Sequence, residues 1–266
     1  MNESRVHMVA FYKASASAPT SYASLDPVDD GIFALAGSSK VYVLGGMRLI
    51  VAFAAPGNTD WTGARFRVHA ASLLKVAYPS ITPVGVPPAN STGDPNVQNL
   101  LEKPLYFAGD EALGVDYAAS TAGTAGVPWA VLMFAESIEP VPDGEAFWIR
   151  AADATTDPAS ATAWTSLADL EWDDGTLPEG EYAIIGFVHV GPLADPGVAA
   201  RLKLVGRSFR PGTISIGSTQ QRTHAMFYDG SLGVMGTFKS YAPPGVEILG
   251  SITPGHEIYL RVVRIG

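Results

Sequence analysis

The sequence predicts an all-β protein made of two tandem antiparallel β-sandwiches. Three observations carry this prediction: a high content of glycine and proline, short segments in which apolar and polar residues alternate, and an ordered repeat of such segments in the two halves of the chain. The 266 residues include 28 glycines and 20 prolines. Long helices are disfavoured at this density, because glycine loses backbone entropy in a helix and proline lacks the amide hydrogen.

Alternation is clearest between Ala64 and His69. Phe66 and Val68 lie on one side of an extended segment. The other side carries Arg65, Arg67 and His69. Residues 201–205 repeat the pattern. A period of two residues with one polar face is typical of a strand in an antiparallel sheet that is packed on one side. Each half of the chain has room for about eight such strands, which is the number expected for a β-sandwich.

Turn signals separate the predicted strands. A type I′ turn needs positive φ, which glycine tolerates, so an Asp-Gly pair between apolar segments predicts a hairpin. Such pairs occur at Asp30-Gly31, Asp174-Gly175 and Asp229-Gly230. Hairpins join neighbouring strands of antiparallel sheets, so these turns favour the same fold class.

Eight short segments of the first half recur in the same order in the second half. The matched residue ranges are 9–12 with 145–148, 22–25 with 164–167, 29–31 with 173–175, 42–45 with 182–186, 64–68 with 200–204, 81–85 with 214–217, 113–115 with 232–234, and 129–134 with 258–263. Matches in one order predict an internal duplication, although two unrelated β-rich halves would also share some strand and turn vocabulary. We therefore expect a first jelly-roll β-sandwich over 1–138, a second over 145–266, and a proline-rich, stiff linker over 139–144.

One segment departs from the strand pattern and predicts a short helix near 95–103. Asp94 is a good N-cap, Pro95 suits the first helical position, and Pro104 would end the helix. Val97 and the leucines at 100 and 101 follow the i, i+3, i+4 spacing of an apolar helix face. We expect this two-turn helix to pack over one end of the first sandwich.

Charge and composition exclude several functional classes. With 17 basic and 26 acidic residues the net charge is −9, and the basic residues form no run. Direct nucleic-acid binding is therefore not expected, because phosphate contacts need clustered positive charge. No apolar run approaches the roughly 18 residues of a membrane-spanning helix. The absence of cysteine excludes disulfides, thiolate zinc sites and cysteine nucleophiles.

The sequence contains no recognisable cluster of catalytic or metal-binding residues. The histidines are more than four residues apart, so they form no metal-ligand motif, and they are His7, His69, His189, His224 and His256. The acidic segment 169–175 resembles a calcium loop, but its glycine is one position late, which favours a structural turn. We expect no catalytic residue, no cofactor, no metal and no enzymatic activity. A cupin-like barrel or a glycosidase, whose carboxylate pair a sequence does not reveal, is the enzymatic alternative.

The tryptophans are the remaining candidates for contact residues. Trp129 and Trp148 lie in apolar runs and are expected in the core. Trp61 in a polar loop and Trp172 beside an acidic turn are the candidate exposed aromatic contacts. Exposed rings stack on sugars, so the alternative function is a carbohydrate- or receptor-binding twin β-sandwich module, as in a spike or adhesin.

The tandem copies, the near-minimal length of each copy and the insertion with the predicted helix resemble the double jelly-roll major capsid proteins of the adenovirus-like lineage, in particular those of small tailless icosahedral phages. The stretches 222–234 and 242–247 are also similar to phage structural proteins. The resemblance covers nearly the whole chain and is architectural, because these proteins share no catalytic motif. The second copy has no counterpart of the predicted helix, which departs from a symmetric double jelly roll.

The resemblance implies a viral structural protein. Its expected role is the major capsid subunit, which forms trimeric, pseudo-hexameric capsomers of an icosahedral shell in a virion assembled in the host cytoplasm. The implied partners are two further copies in a homotrimer, neighbouring capsid subunits, minor capsid or vertex proteins, and a lipid membrane where one underlies the shell. Loop residues 79–88 and 192–199 are expected to make the trimer contacts.

Overall fold

The computed structural model describes residues 2–14, 17, 19–55, 64–75, 80–83, 96–119, 125–156, 160–172, 177–192, 197–217, 225–251 and 253–266. Strands dominate these ranges, so the predicted all-β class is confirmed. The helical elements in them are two short 3-10 helices, Ala71–Lys75 and Ala225–Phe227. No helix of the described ranges is long and apolar enough to cross a membrane.

The strands fall into two successive groups along the chain. The first group is β1 (Arg5–Tyr12), β2 (Ala23–Ser24), β3 (Asp26–Pro27), β4 (Lys40–Val43), β5 (Arg48–Ala55), β6 (Arg65–His69), β7 (Ser80–Pro83), β8 (Asn96–Asn99), β9 (Leu105–Tyr106), β10 (Glu111–Ala118) and β11 (Trp129–Ser137). The second group is β12 (Ala146–Asp153), β13 (Thr165–Ser166), β14 (Glu171–Trp172), β15 (Glu181–Gly191), β16 (Ala199–Lys203), β17 (Gly212–Gly217), β18 (Gly236–Lys239), β19 (Gly245–Leu249) and β20 (His256–Arg264).

The chain divides into two compact units. We call Val9–Phe134 the N-terminal unit, and Ala135–Gly266 together with Met1–Met8 the C-terminal unit. The chain passes from the C-terminal to the N-terminal unit within β1 and returns within β11. The first eight residues, which the sequence places in the first sandwich, therefore belong to the unit formed by the second half.

The N-terminal unit contains two sheets. One has the strand order β3-β1-β11-β5-β8, with β9 also on β5, and the other has the order β2-β10-β6-β7, with β4 also on β10. Alternate residues of β6 are buried, as the sequence pattern predicts. Aromatic contacts hold the core together: the ring centroids of Phe33 and Phe134 are 5.3 Å apart, and those of Phe66 and Tyr117 are 6.4 Å apart.

The C-terminal unit repeats this arrangement. Its strands follow the order β14-β12-β20-β15, with β18 also on β15, and the order β13-β19-β16-β17. A short parallel pairing of β15 with β17 joins the two series into one sheet, with His189 opposite Ser215. Tyr182 and Phe238 stack in the core, with ring centroids 5.6 Å apart.

The two units share one strand order. Eight principal strands can be numbered 1 to 8 along each unit, and their lateral orders are then 1-8-3-6 and 2-7-4-5 in both units. These strands are β1, β2, β5, β6, β7, β8, β10 and β11 in the N-terminal unit, and β12, β13, β15, β16, β17, β18, β19 and β20 in the C-terminal unit. One additional strand also agrees, because β3 pairs with β1 as β14 pairs with β12. The additional strands β4 and β9 have no counterpart among the described strands of the C-terminal unit.

Most of the matched sequence segments lie on equivalent strands. The pairs of segments that begin at residues 9, 22, 64, 81 and 129 fall on strands 1, 2, 4, 5 and 8 of the two units. Two matches are wrong: Tyr42 is on β4 whereas Tyr182 is on β15, and Leu113 is on β10 whereas Leu232 precedes β18. Residues 173–175 of another match lie outside the described residues.

The predicted helix near 95–103 is wrong for the residues that are described. Asn96–Asn99 forms β8 and pairs antiparallel with β5, where Asn99 lies opposite Val51. The amide of Leu100 continues this pairing by donating to the carbonyl oxygen of Ile50 at 2.8 Å, and the side chain of Asn99 then accepts from the amide of Leu101 in a turn. A two-turn helix is marginal by itself, so pairing with a buried strand prevails over the local helix signals.

Candidate functional site

One sheet face of the C-terminal unit presents aromatic rings and guanidinium groups. It is formed by β12, β20 and β15, whose residues lie opposite one another in three rows. We call these rows the aromatic-arginine face, and they are Trp148, Arg261 and Gly186, then Arg150, Tyr259 and Val188, then Ala152, Glu257 and Val190. This face brings together residues that are more than 100 positions apart in the sequence.

Strand alternation explains why these side chains share a face. The residues between them, such as Ile149 on β12 and Ile258 and Leu260 on β20, are buried in the core of the unit. Successive side chains of a strand point to opposite sides, so the residues of the three rows point away from that core. The face is therefore partly open to solvent, and its burial pattern on β20 alternates regularly between His256 and Val262.

Trp148 is the most prominent side chain of the face. Its exposed fraction is 44%, so the expectation that it lies in the core is wrong, whereas the same expectation for Trp129, which is 6% exposed, is confirmed. The apolar run around Trp148 suggested burial, but Trp148 occupies an outward position of β12. Its ring centroid lies 6.2 Å from that of Tyr228.

Close backbone packing at Gly186 places Tyr228 next to Trp148. A Cβ atom at Gly186 would lie only 2.7 Å from the Cα atom of Tyr228, so the approach requires glycine. The guanidinium of Arg261 donates to the carbonyl oxygen of Tyr228 at 3.1 Å. The segment after the second 3-10 helix is thereby held at the edge of the face.

A carboxylate orders the middle of the face. Arg150 Nη2 donates to Glu257 Oε1 at 2.6 Å, and the hydroxyl of Tyr259 donates to Glu257 Oε2 at 2.7 Å. These hydrogen bonds, first that from Arg150 and then that from Tyr259, lower the pKa of Glu257. Burial together with the charged neighbour Glu257 raises the pKa of Tyr259. These hydrogen bonds hold Arg150, Glu257 and Tyr259 in one arrangement on the face.

The two aromatic contacts predicted from the sequence lie elsewhere. Trp61 is outside the described residues. Trp172 on β14 is half-buried and pairs with Ala151, which belongs to the buried side of β12, so the two residues share the core-facing side of the sheet. Neither belongs to the aromatic-arginine face. The sequence signal that was available for this face is the alternation of aromatic and arginine residues with apolar ones in β12 and β20.

A second polar feature is a hydrogen-bonded chain in the core of the C-terminal unit. His189 Nδ1 lies 2.8 Å from Ser215 Oγ, and His189 Nε2 lies 3.0 Å from His256 Nδ1. Both histidines are completely buried. The sequence spacing predicts isolated histidines. In the structure β15 and β20 are neighbours, and they bring together His189 and His256, which are 67 positions apart.

We expect this histidine pair to make the C-terminal unit less stable in acid. Burial, and secondarily the neighbouring His256, holds the pKa of His189 well below its ordinary value, so the folded unit keeps His189 neutral. The unfolded chain takes up the proton below about pH 6.5, and stability should fall by about 1.4 kcal/mol per pH unit for this group. Urea unfolding at several pH values should show a shallower pH dependence for His189→Gln. An equal slope in both proteins would contradict the prediction.

A cleft of about 480 Å³ lies beside the N-terminal residues of the C-terminal unit. Both arginines along it are paired within the fold: Arg207 Nε lies 2.7 Å from Glu3 Oε2, and Arg5 Nη1 lies 2.6 Å from Glu136 Oε2. Such internal pairing leaves little reason for a charged ligand to bind there. Among the described residues, no group of three or more histidine or acidic side chains could hold a metal ion.

No protein-family model, no curated protein and no solved structure matches this chain. A function is therefore not transferred from a relative.

Proposed function

We propose that this chain is the major capsid subunit of a virus, of the double jelly-roll kind that the sequence resembles, as in small tailless icosahedral phages. The observation that supports this proposal is the strand order repeated in both units, 1-8-3-6 in one series and 2-7-4-5 in the other. In this order the first and last strands are neighbours, and long connections alternate between two series of strands. This connectivity supports the proposal that each unit is a jelly roll, a fold that consists of two Greek keys.

Two jelly rolls in one chain suit a shell for a geometric reason. Three copies of such a chain supply six similar units, and six similar units around one axis form a block with nearly hexagonal symmetry. Hexagonal blocks, together with vertex proteins at the five-fold positions, can tile a closed shell with few kinds of contact, and closed symmetry is the usual solution for assemblies of identical chains. A homotrimer is therefore the expected building block, with neighbouring trimers as its main partners.

The proposed location of the chain is the virion, after assembly in the host cytoplasm. Minor capsid or vertex proteins, and a lipid membrane under the shell, are further proposed partners. The loops expected to make trimer contacts, 79–88 and 192–199, lie largely outside the described residues. The aromatic-arginine face is consequently the best described surface on which such contacts can be tested.

We expect the purified chain to form a trimer. Static light scattering at micromolar concentration should give a mass of about 84 kDa, three times the 27.9 kDa of one chain. Electron micrographs of the native source should show regular particles rich in this chain. A monomer at every concentration tested, without particles in the source, would contradict the proposed function.

A further inference from the structure

We infer that the aromatic-arginine face of the C-terminal unit is the docking surface for a neighbouring copy of this chain. The inference rests on the proposed function and deepens it, because it names the surface and the partner. Tryptophan, tyrosine and arginine are the residue types that contribute most to the affinity of protein interfaces. Trp148, Arg150, Tyr259 and Arg261 stand together on this one face, beside Tyr228.

The side chains of the face are ordered before any partner binds. Glu257 fixes both Arg150 and Tyr259 by hydrogen bonds, and Arg261 is held by the backbone of Tyr228. Binding loses little side-chain entropy when the contact residues already occupy one arrangement. Preorganisation of this kind is typical of a surface that binds a rigid partner.

The equivalent sheet of the N-terminal unit has no such face. Its strands β1, β11 and β5 are equivalent to β12, β20 and β15, yet within this unit their consecutive side chains are buried from Val9 to Phe11, from Trp129 to Phe134 and from Leu49 to Ala54. In a ring made of two similar kinds of unit, equivalent faces have equivalent surroundings. The open face of the C-terminal unit is therefore expected to be covered in the assembly, and a second copy is the partner that the ring supplies.

Charge also favours a second copy. The aromatic-arginine face carries two arginines and one glutamate, whereas the whole chain has a net charge of −9. The rest of each copy therefore carries a negative net charge, which complements the positive net charge of the face. Complementary charge of this kind mainly sets the orientation and rate of association.

The absence of cysteine from the chain allows a direct test of this surface. Ala152→Cys places a single thiol in the third row of the face, at a partly exposed position. Val205→Cys is the matched control, because Val205 is 85% exposed and lies outside the face. Maleimide labelling of the Ala152→Cys protein should slow at least tenfold between dilute, dissociated protein and the trimer, while labelling of the control stays constant. Equal labelling rates for Ala152→Cys in both states would overturn the inference.

A second pair of variants tests whether the face contributes affinity. Trp148→Glu puts a negative charge in the first row of the face, on the exposed side of β12, and Tyr241→Glu makes the same change at a residue that is 75% exposed elsewhere in the unit. We expect Trp148→Glu to raise the concentration needed for trimer formation at least tenfold and Tyr241→Glu to leave it unchanged. Circular dichroism checks that both variants are folded, and Trp148→Gln replaces Trp148→Glu if the latter is not.

The outcomes separate this inference from the proposed function. A wild-type trimer that tolerates both Trp148 substitutions would overturn the inference and leave the proposed function standing. A wild-type chain that stays monomeric would overturn both. Binding of a sugar by the unassembled chain, abolished by Trp148→Gln, would assign the face to a glycan and overturn docking of a second copy.

Discussion

Replacing Glu247 with glutamine is expected to lower the free energy of unfolding of the C-terminal unit by about 3–5 kcal/mol, because it leaves buried guanidinium groups without their carboxylate. Glu247 lies on β19, directly opposite Arg201 on β16. Arg201 Nε donates to Glu247 Oε2 at 2.7 Å, and Arg210 Nη1 donates to Glu247 Oε1 at 2.6 Å. The side chain of Arg201 is only 2% exposed, and its guanidinium carbon lies 4.0 Å from the ring centroid of Trp164.

The pKa of Glu247 shows that the charge pairing outweighs burial. Burial alone would raise this pKa, but the charges of and hydrogen bonds from Arg201 and Arg210 hold it below its ordinary value. The stabilisation by this group is therefore present at neutral pH and is lost as the pH falls through the lowered pKa. Glutamine is neutral at every pH, so the variant should lack this part of the acid dependence.

The matched control is Glu257→Gln in the same unit. Glu257 Oε1 lies 2.6 Å from Arg150 Nη2, but both side chains are more than a third exposed. Exposed ion pairs contribute about 0–1 kcal/mol, so this variant should unfold at nearly the wild-type urea concentration. Urea unfolding followed by tryptophan fluorescence compares the two variants. Equal losses at both positions would contradict the role assigned to burial.

The sequence was informative where local pattern and tertiary structure agree. The alternation around Phe66 identified β6, because alternate residues of this strand are buried. The same pattern identified its equivalent β16, although Arg201 on the polar side of β16 is itself buried. The repeat was detectable because equivalent strands bury similar residues in the same order. The predicted repeat is wrong at Tyr42 and Leu113, because short apolar motifs there match motifs of the second half that do not lie on equivalent strands.

The site could not be predicted to the same extent, since it depends on strand neighbours. β15 and β20 are adjacent only because of the strand order, so no local signal could pair His189 with His256. The sequence predicts a buried Trp148 because an apolar run does not reveal which of its residues face outward. Asn96–Asn99 was predicted helical because its caps are local signals, whereas its pairing with β5 is not.

Replacing Gly233 with alanine is the second change from which we expect a large effect. Gly233 has a φ of 65°, and an added Cβ atom would overlap the carbonyl oxygen of Glu139. This oxygen accepts from the amide of Val234, and the carbonyl oxygen of Val234 in turn accepts from the amide of Ser4 at 2.7 Å. The amide of Glu139 donates to Ser4 Oγ at 2.9 Å. A methyl group at this point would therefore separate three backbone segments that hydrogen bonds hold together.

The strain of positive φ and the overlap can be separated with a control. Gly206 has a φ of 73°, but nothing lies within 4 Å of the position of its Cβ atom. Gly206→Ala should therefore cost only the conformational penalty of about 1–2 kcal/mol. Gly233→Ala should cost about 3–4 kcal/mol, because displacement of Glu139 also loses hydrogen bonds worth about 1 kcal/mol each. Urea unfolding of the two variants measures the difference in their free energies of unfolding. Similar losses of this free energy would contradict the prediction, because they would mean that the segments at Glu139 and Ser4 move apart without loss of stability.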